Sequence, residues 1–553
     1  MSETVKINVN AGEITGVLNH TWNYIGYDEC NYTTTPGGTL LLEKFGGLND
    51  APYFVRPHHL LCTGNTHGEY KWGSTNVYTE DEDGNPVYNF EVLDKICDVI
   101  VQTGNKPFFE IGFMPRDLAD PRHANNPEKG YEISCWAHHK DYQLKGWCMP
   151  PKCYDKWYDL IYTVMKHLVE RYGVEEIESW YFEMWNEPQD GGPYWKGTYE
   201  EFYKLNDYTE AAVHDALPTA KFGGPAVVHT RTPDTPGAQM MDDYLDHCKN
   251  RKNYKTGQVG TRLDYLSWHV KGGSYRFDRL AEKQIPSVKS FIEQNQTCID
   301  IVKKHGYEDL EVVISEADPD GWAAGGMYDN FNLNFRNTEY YASYVASSYK
   351  NTYDQADREG MDLRPQAWAF MFENERCFEG TRVFSTQGID KAVLNLFKLY
   401  AMLGTQKLSL TSSRDLDPAK FEDDYGTKEG PEVDGWATKK EDGSVQMLVY
   451  CHHDDWDVKK NFSIDLEVAG LSGEYTVRHY RIDSEHSNAY AEWVRQGKPD
   501  YPVGDQYAAI KARDGLELLE APFMKATEGS MALSFTLPVH GISFITLTPV
   551  AGR

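Results

Sequence analysis

Two glutamates in this chain stand where a carboxylate can do chemistry rather than only balance a charge. The first closes the run Ser179-Trp-Tyr-Phe-Glu-Met-Trp-Asn-Glu187-Pro188. Aromatic and apolar residues dominate it, which predicts a buried strand, and Pro188, unable to donate to a ladder, ends it. Glu187 is thereby set at the carboxyl end of that strand. The second closes the β-branched run Val312-Val-Ile-Ser-Glu316-Ala-Asp-Pro319, again stopped by proline. Two carboxyls about 5–5.5 Å apart are what hydrolysis of a glycosidic bond with retention requires. One protonates the leaving oxygen while the other attacks the anomeric carbon. Either glutamate alone could equally be a structural acid held by Arg or Lys. The pair together, with Asn186 directly before Glu187, makes that reading the weaker one.

The elements that must hold these tips can be read around them. Strand patterns lie at 53–56, 107–113, 180–187, 221–228, 263–271, 312–316 and 366–372. Helical spacing of apolar residues covers 90–101, 154–172, 199–216, 287–305 and 338–357. Strand and helix alternate about eight times between residues 14 and 404, which predicts the α/β class and a (β/α)8 TIM barrel. Glu187 then falls on the fourth strand and Glu316 on the seventh. Residues 114–153 interrupt the alternation with a long irregular insertion, predicted to be a lid or a rim of the cleft. After Gly404 short alternating runs appear at 445–451, 460–468, 474–482, 531–537 and 542–548. They predict an accessory antiparallel β-sandwich over 405–553, to which residues 1–13 add a strand.

Composition narrows the partners. The chain has 553 residues, 40% of them hydrophobic and 13% aromatic, enough for a large core. A formal net charge of −29 argues against nucleic acid and against anionic membrane surfaces. The first ten residues lack the apolar core of a signal peptide, and no apolar run approaches the roughly 20 residues of a membrane span. The ten cysteines are scattered without Cys-x-x-Cys spacing. The expectation is a cytoplasmic protein with reduced thiols, no metal and no organic cofactor, acting on a small oligosaccharide or glycoside. Oligomeric state, a homo-oligomer included, is left open.

Taken together, Pro107–Pro115 (PFFEIGFMP), Trp180–Pro188 (WYFEMWNEP), Phe222–Pro225 (FGGP), Val393–Gly404 and His486–Tyr490 (HSNAY) resemble glycoside hydrolase family 39 over most of the chain. These enzymes are retaining glycosidases built as a barrel plus a sandwich. The resemblance implies Glu187 as acid/base and Glu316 as nucleophile, in agreement with the strand ends. It implies Asn186, His58 and His269 as partners of substrate hydroxyls. Two branches of the family bear on this chain, β-xylosidases and α-L-iduronidases. The segments Arg262–Gly273 (RLDYLSWHVKGG) and Ser315–Trp322 (SEADPDGW) are similar to the iduronidase branch. There a lysine at the position of Lys271 and the backbone at Gly321-Trp322 hold a uronate carboxylate. The Asp-Pro to Gly-Trp spacing is one residue shorter here than in the iduronidases, and the Gly-Phe-Met-Pro segment is closer to the xylosidase branch. The resemblance also implies an acid that binds a hydroxyl and an arginine near the carboxylate. Glu373 or Glu375 supplies the first, and Arg376 or Arg382 the second.

Lys271 decides between substrates. An ammonium beside the C5 substituent of a sugar pairs with a carboxylate, whereas xylose carries only hydrogen there. The competing role for Lys271 is a salt bridge to Glu316 or Asp318 that keeps the nucleophile ionised. Glu187 is expected to stay protonated beside an ionised Glu316, because two close carboxylates resist both being charged. The reading is therefore an α-L-iduronidase-like exo-glycosidase, with β-xylosidase as the alternative. A non-catalytic carbohydrate-binding protein is the alternative of another class, and it would have no need for the glutamate pair.

Overall fold

A computed structural model describes residues 3–48, 51–64, 73–121, 147–190, 192–321, 326–369, 373, 375–380 and 382–550. The centre of the predicted insertion and Trp322 lie outside them.

Eight parallel strands close into a barrel: Tyr24–Tyr27, Phe54–Pro57, Lys106–Ile111, Tyr181–Met184, Lys221–Val227, Tyr265–Lys271, Glu311–Asp318, and an eighth in two pieces. Leu363–Pro365 of the eighth pairs with strand seven, and Ala367–Trp368 pairs with strand one, so the ring is complete. Glu187 follows strand four and Glu316 lies on strand seven, as the alternation predicts. Helices Tyr154–Tyr172 and Tyr199–Ala216 form where the apolar spacing places them. The second begins with a capping box, the Thr198 hydroxyl accepting from Glu201 N and Glu201 accepting from Thr198 N.

Alternation of side chains along each strand stacks the barrel interior in layers. The lowest is apolar: Tyr24, Phe108, Tyr181, Tyr265 and Val313 pack as one cluster. Two residues further along three strands come Arg56, Glu110 and Glu183, each buried at 0% exposure. Two residues further again come His58 and, on strand six, His269 and Lys271. Strand seven would break this order, because Ser315 and Glu316 are adjacent and strict alternation sends them to opposite faces. Its pairing with strand six slips at this point, with Ile314 opposite Trp268 and Glu316 opposite His269. This bulge aims both inward. Ser315 Oγ donates to Glu183 below, and Glu316 reaches the cleft above.

The second domain is a curled antiparallel sheet around its own core. Its first strand, Glu3–Val17, comes from the chain start and runs on past residue 13. The separate strands expected at 460–468 and 474–482 are instead one strand of 22 residues, Asn461–Ile482. The Gly470 and Gly473 that read as a turn hold φ of +77° and +103°, conformations that only glycine adopts cheaply. The pairing register shifts between Ala469 and Leu471. The strand therefore bends rather than ends. Its first half pairs with Glu3–Val17 and its second with Ile542–Pro549, which joins the two layers.

Among the described residues no helix is long and apolar enough to cross a membrane. The nine described cysteines are free thiols.

Candidate active site

The cleft sits at the carboxyl end of the barrel strands, and its charges rest on Arg56. This arginine lies inside strand two and donates from Nε to Glu183 at 2.5 Å. From Nη2 it donates to Asn186 Oδ1 at 3.0 Å, and it reaches Glu316 Oε1 at 3.4 Å. Glu110 lies 2.9 Å from the same guanidinium. A planar fork with five donors can hold several oxygens in fixed directions at once. Turning the Asn186 carbonyl toward Arg56 leaves its NH2 group to face other partners. Sequence reasoning missed Arg56. The signal available was a lone charge within each of three apolar strand runs, Arg56, Glu110 and Glu183, which can be buried only if they meet.

Glu187 is held by its backbone. Its φ of +43° is unusual for a residue with a side chain, and Trp185 two residues earlier is at +64°. The Glu187 amide donates to Ala226 O at 2.9 Å, tying the turn to strand five. One oxygen of Glu187, one of Glu316 and a ring nitrogen of His269 all lie within 4.8 Å of one another. That separation leaves no room for the intervening water of an inverting enzyme, whose carboxyls stand about 6.5–9.5 Å apart.

The two carboxylates differ in surroundings. Burial pushes Glu316 up, but the charges of Lys271 and His269 and the hydrogen bond and charge of His58 outweigh it, holding Glu316 well below the carboxylate range. Lys271 Nζ donates to Glu316 Oε2 at 2.5 Å and to Asp318 Oδ2 at 2.7 Å. His58 Nε2 lies 3.3 Å from Glu316 Oε1, and its Nδ1 bonds Glu110. Burial lowers the His58 pKa, yet Glu110 and Glu316 raise it to about 10, so the ring is an imidazolium at neutral pH. The expectation that Glu187 stays protonated in the free protein is not met. Burial and the charge of Glu316 push it up, but the hydrogen bond and charge of His269, at 2.8 Å, and the charge of Lys271 bring it below the carboxylate range. The counter-charges that ionise Glu316 also reach Glu187.

Asp318 accepts from Lys271 and from Arg382 Nη2, the latter at 2.8 Å. Burial raises its pKa, while these two cations lower it below the ordinary value. Both cations are more than nine-tenths buried. Three buried polar atoms around this group have no hydrogen-bond partner among the described residues: His269 Nε2, Asp318 Oδ1 and Arg382 Nε. Gly321 donates to Gly273 O at 3.1 Å and lies against Lys271, whose Cγ a Cβ at that glycine would approach to 3.9 Å. A cavity of about 480 Å3 opens beside Lys271 between the loops that follow strands five, six and seven.

Arg382 and not Arg376 is the arginine in the cleft. Arg376 pairs with Glu379 at 2.7 Å and lies over the Tyr328 ring, partly exposed. Glu373 accepts from Gly37 N at 2.6 Å, at the start of helix Pro36–Gly46. Glu375 acts electrostatically on the buried Lys391. Two trios of described residues have the spacing to hold a cation, Glu187–His269–Glu316 and Asp415–Glu432–Asp434. In the first, the Lys271 ammonium already sits against Glu316.

A closed (β/α)8 barrel with two facing glutamates at the ends of strands four and seven is the arrangement that a two-carboxylate glycoside hydrolase requires. The chain belongs to glycosyl hydrolases family 39, whose sequence profile matches residues 5–528. Its relatives include a β-xylosidase of Geobacillus stearothermophilus, 23% identical over 524 residues, covering 92% of this chain and 88% of that protein. An α-L-iduronidase of Mus musculus is 25% identical over 487 residues, covering 83% and 68%. Among solved structures, a bacterial orthologue of human α-L-iduronidase superposes with a TM-score of 0.74 at 21% identity, covering all of this chain and 85% of that one. A β-xylosidase of Caulobacter crescentus superposes with a TM-score of 0.73 at 18% identity, covering 99% of this chain and all of that one.

Proposed function

We propose that this glycosidase is an α-L-iduronidase-like exo-enzyme that releases a terminal uronic acid with retention. Glu316 is the nucleophile and Glu187 the acid/base. Glu316, ionised and oriented by Lys271, His58 and Arg56, attacks the anomeric carbon while Glu187 gives its proton to the leaving oxygen. Glu187 then takes a proton from the water that hydrolyses the glycosyl ester. Glu187 must be protonated for the first step, and the His269 ring nitrogen 2.8 Å away orients it. Asn186 donates to the hydroxyl beside the anomeric carbon.

The observation that carries the uronide assignment is the pair of buried cations, Lys271 and Arg382, that converge on Asp318 beside the nucleophile. In the free site Lys271 faces Glu316 and Asp318, while Arg382 faces Asp318 at 2.8 Å and Asp28 at 3.7 Å. Once Glu316 becomes an ester its charge is gone, and Lys271 keeps only Asp318, which it shares with Arg382. A uronate carboxylate gives Lys271 a second partner again in that intermediate, and a xylosyl group does not. Arg382 Nε, without a hydrogen-bond partner among the described residues, is a further donor beside it.

The same contacts support a second reading. Lys271 is already paired twice, which suffices for a residue that only keeps Glu316 ionised, as a β-xylosidase needs. Parallel kinetics on an aryl α-L-iduronide and an aryl β-D-xyloside separate the two. Turnover of the xyloside with none of the iduronide refutes the uronide assignment and leaves the glycosidase standing.

A further inference from the structure

A second cavity, of about 320 Å3, lies away from the glutamate pair. It sits where the 331–340 segment after barrel strand seven meets the 456–459 turn of the second domain. Its size is within the range of small-molecule sites, and such sites favour domain junctions. Its walls combine an aromatic surface with charged side chains of both signs. Trp456 is stacked against Phe335 at 5.8 Å with the Lys283 ammonium over its ring, so it is a fixed wall. The ring left open to solvent is that of Phe331, 53% exposed at the start of the 3-10 helix Phe331–Asn337, although burial is the usual fate of phenylalanine. Glu339, Asp457 and Lys459 supply acceptors and donors. Asp457 already pairs with Lys283 at 2.7 Å, and Glu339 takes one hydrogen bond, from Asn488 at 3.0 Å.

We propose that this cavity is an accessory site for a neutral pyranoside. A sugar ring has an apolar C–H face that covers an exposed aromatic, and an edge of hydroxyls that donate to carboxylates and accept from an ammonium. A wholly apolar ligand would strand Glu339 and Lys459 without water. An anionic sugar would bring a third carboxylate to Glu339 and Asp457, opposed only by Lys459 and the Lys283 already engaged. The cavity thus prefers a neutral sugar, the opposite of the preference proposed for the cleft. This site would hold a neutral unit of a longer saccharide or a product without taking part in bond cleavage.

The test is saturation-transfer NMR of the full chain with methyl β-D-glucopyranoside and with its uronate counterpart, methyl β-D-glucopyranosiduronic acid. Native protein, Phe331→Ala and Lys459→Ala are compared, with aryl-glycoside hydrolysis measured in parallel as an independent reading of the cleft. The expected result is binding of the neutral glycoside that weakens about tenfold in Phe331→Ala and severalfold in Lys459→Ala, with hydrolysis unchanged. The uronate should bind this site at least tenfold more weakly than the neutral probe. No binding of the neutral glycoside by native protein, binding undiminished from native in both variants, or a uronate signal that falls in Phe331→Ala and Lys459→Ala as far as the neutral one does would each overturn the proposal. If instead hydrolysis of every glycoside fails in the native chain, the reading of the cleft falls and this one stands.

Discussion

Lys271→Ala is the substitution that separates the two substrates. The residue is 6% exposed and donates to Glu316 and Asp318 at 2.5 and 2.7 Å, so its removal acts on two carboxylates at once. Asp318 keeps Arg382 at 2.8 Å, and Glu316 keeps His58 at 3.3 Å and Arg56 at 3.4 Å. The nucleophile therefore stays ionised near neutral pH, and a neutral glycoside should lose at most about tenfold in kcat/KM. A uronide loses more, because a buried charge-assisted contact to its carboxylate is worth about 1.5–3 kcal/mol and its removal leaves the charge unpaired. The expected total is about 2–4 kcal/mol, roughly 30- to 1,000-fold in kcat/KM. Lys271→Arg should also be poor, since a planar guanidinium cannot occupy the same point between two carboxylates. The assay is steady-state kinetics of both variants on an aryl α-L-iduronide and an aryl β-D-xyloside, with unfolding followed to confirm the fold. Equal losses on the two substrates would refute the uronide role and leave Lys271 as a support for Glu316.

Other outcomes follow from the same geometry. Glu316→Ala should abolish turnover, and added azide should give a glycosyl azide of inverted configuration; Glu187→Ala should accumulate a glycosyl-enzyme on activated aryl substrates and be rescued by azide with retention, both read by product NMR. Arg382→Ala should cost the uronide at least tenfold in kcat/KM while Arg376→Ala changes it less than twofold, and the reverse order would misplace the cleft. Arg56→Met leaves Glu183 buried without its cation and Glu110 with His58 alone, and should destabilise by about 3–5 kcal/mol in chemical denaturation, as breaking a buried pair does. His269→Ala removes the hydrogen bond and charge that depress Glu187, so the carboxyl pKa should rise. An acid must be protonated to act, so the basic limb of the kcat/KM profile should move to higher pH as the rate falls, and an unmoved limb would count against Glu187 as the acid.

Most of the barrel was legible because its strands end in residues that cannot continue a ladder and its helices repeat apolar residues every three or four positions. Helices 154–172 and 199–216 match their patterns to the residue. The long strand Asn461–Ile482 was not legible because two glycines serve a bend as well as a turn, and only the partner strands decide which. The glutamate tips were legible as positions, but the bulge that turns Glu316 inward beside Ser315 depends on how strand seven meets strand six. Arg382 could not be chosen over Arg376 by spacing, because the choice rests on which one the fold carries to Asp318. Arg56 was open to detection, since a cation in Tyr-Phe-Val-Arg-Pro-His has to find carboxylates inside the barrel.

The ionisation of Glu187 shows why reading the pair alone was insufficient. Two close carboxylates in isolation resist both being charged and hold one proton between them. In this cleft the pair is not isolated. Arg56, His58, Lys271 and Arg382 face Asp28, Glu110, Glu183, Glu316 and Asp318, so the field at Glu187 is set by four cations and five other acids. His269 is then the group that hydrogen-bonds Glu187, across 2.8 Å. On the proposed mechanism the acid of the first step depends on that contact. Having given its proton to the leaving oxygen, Glu187 would enter the second step as a carboxylate, ready to act as base. His269 and Lys271 both lie on strand six, so on the proposed roles one strand would orient the nucleophile and tune the acid.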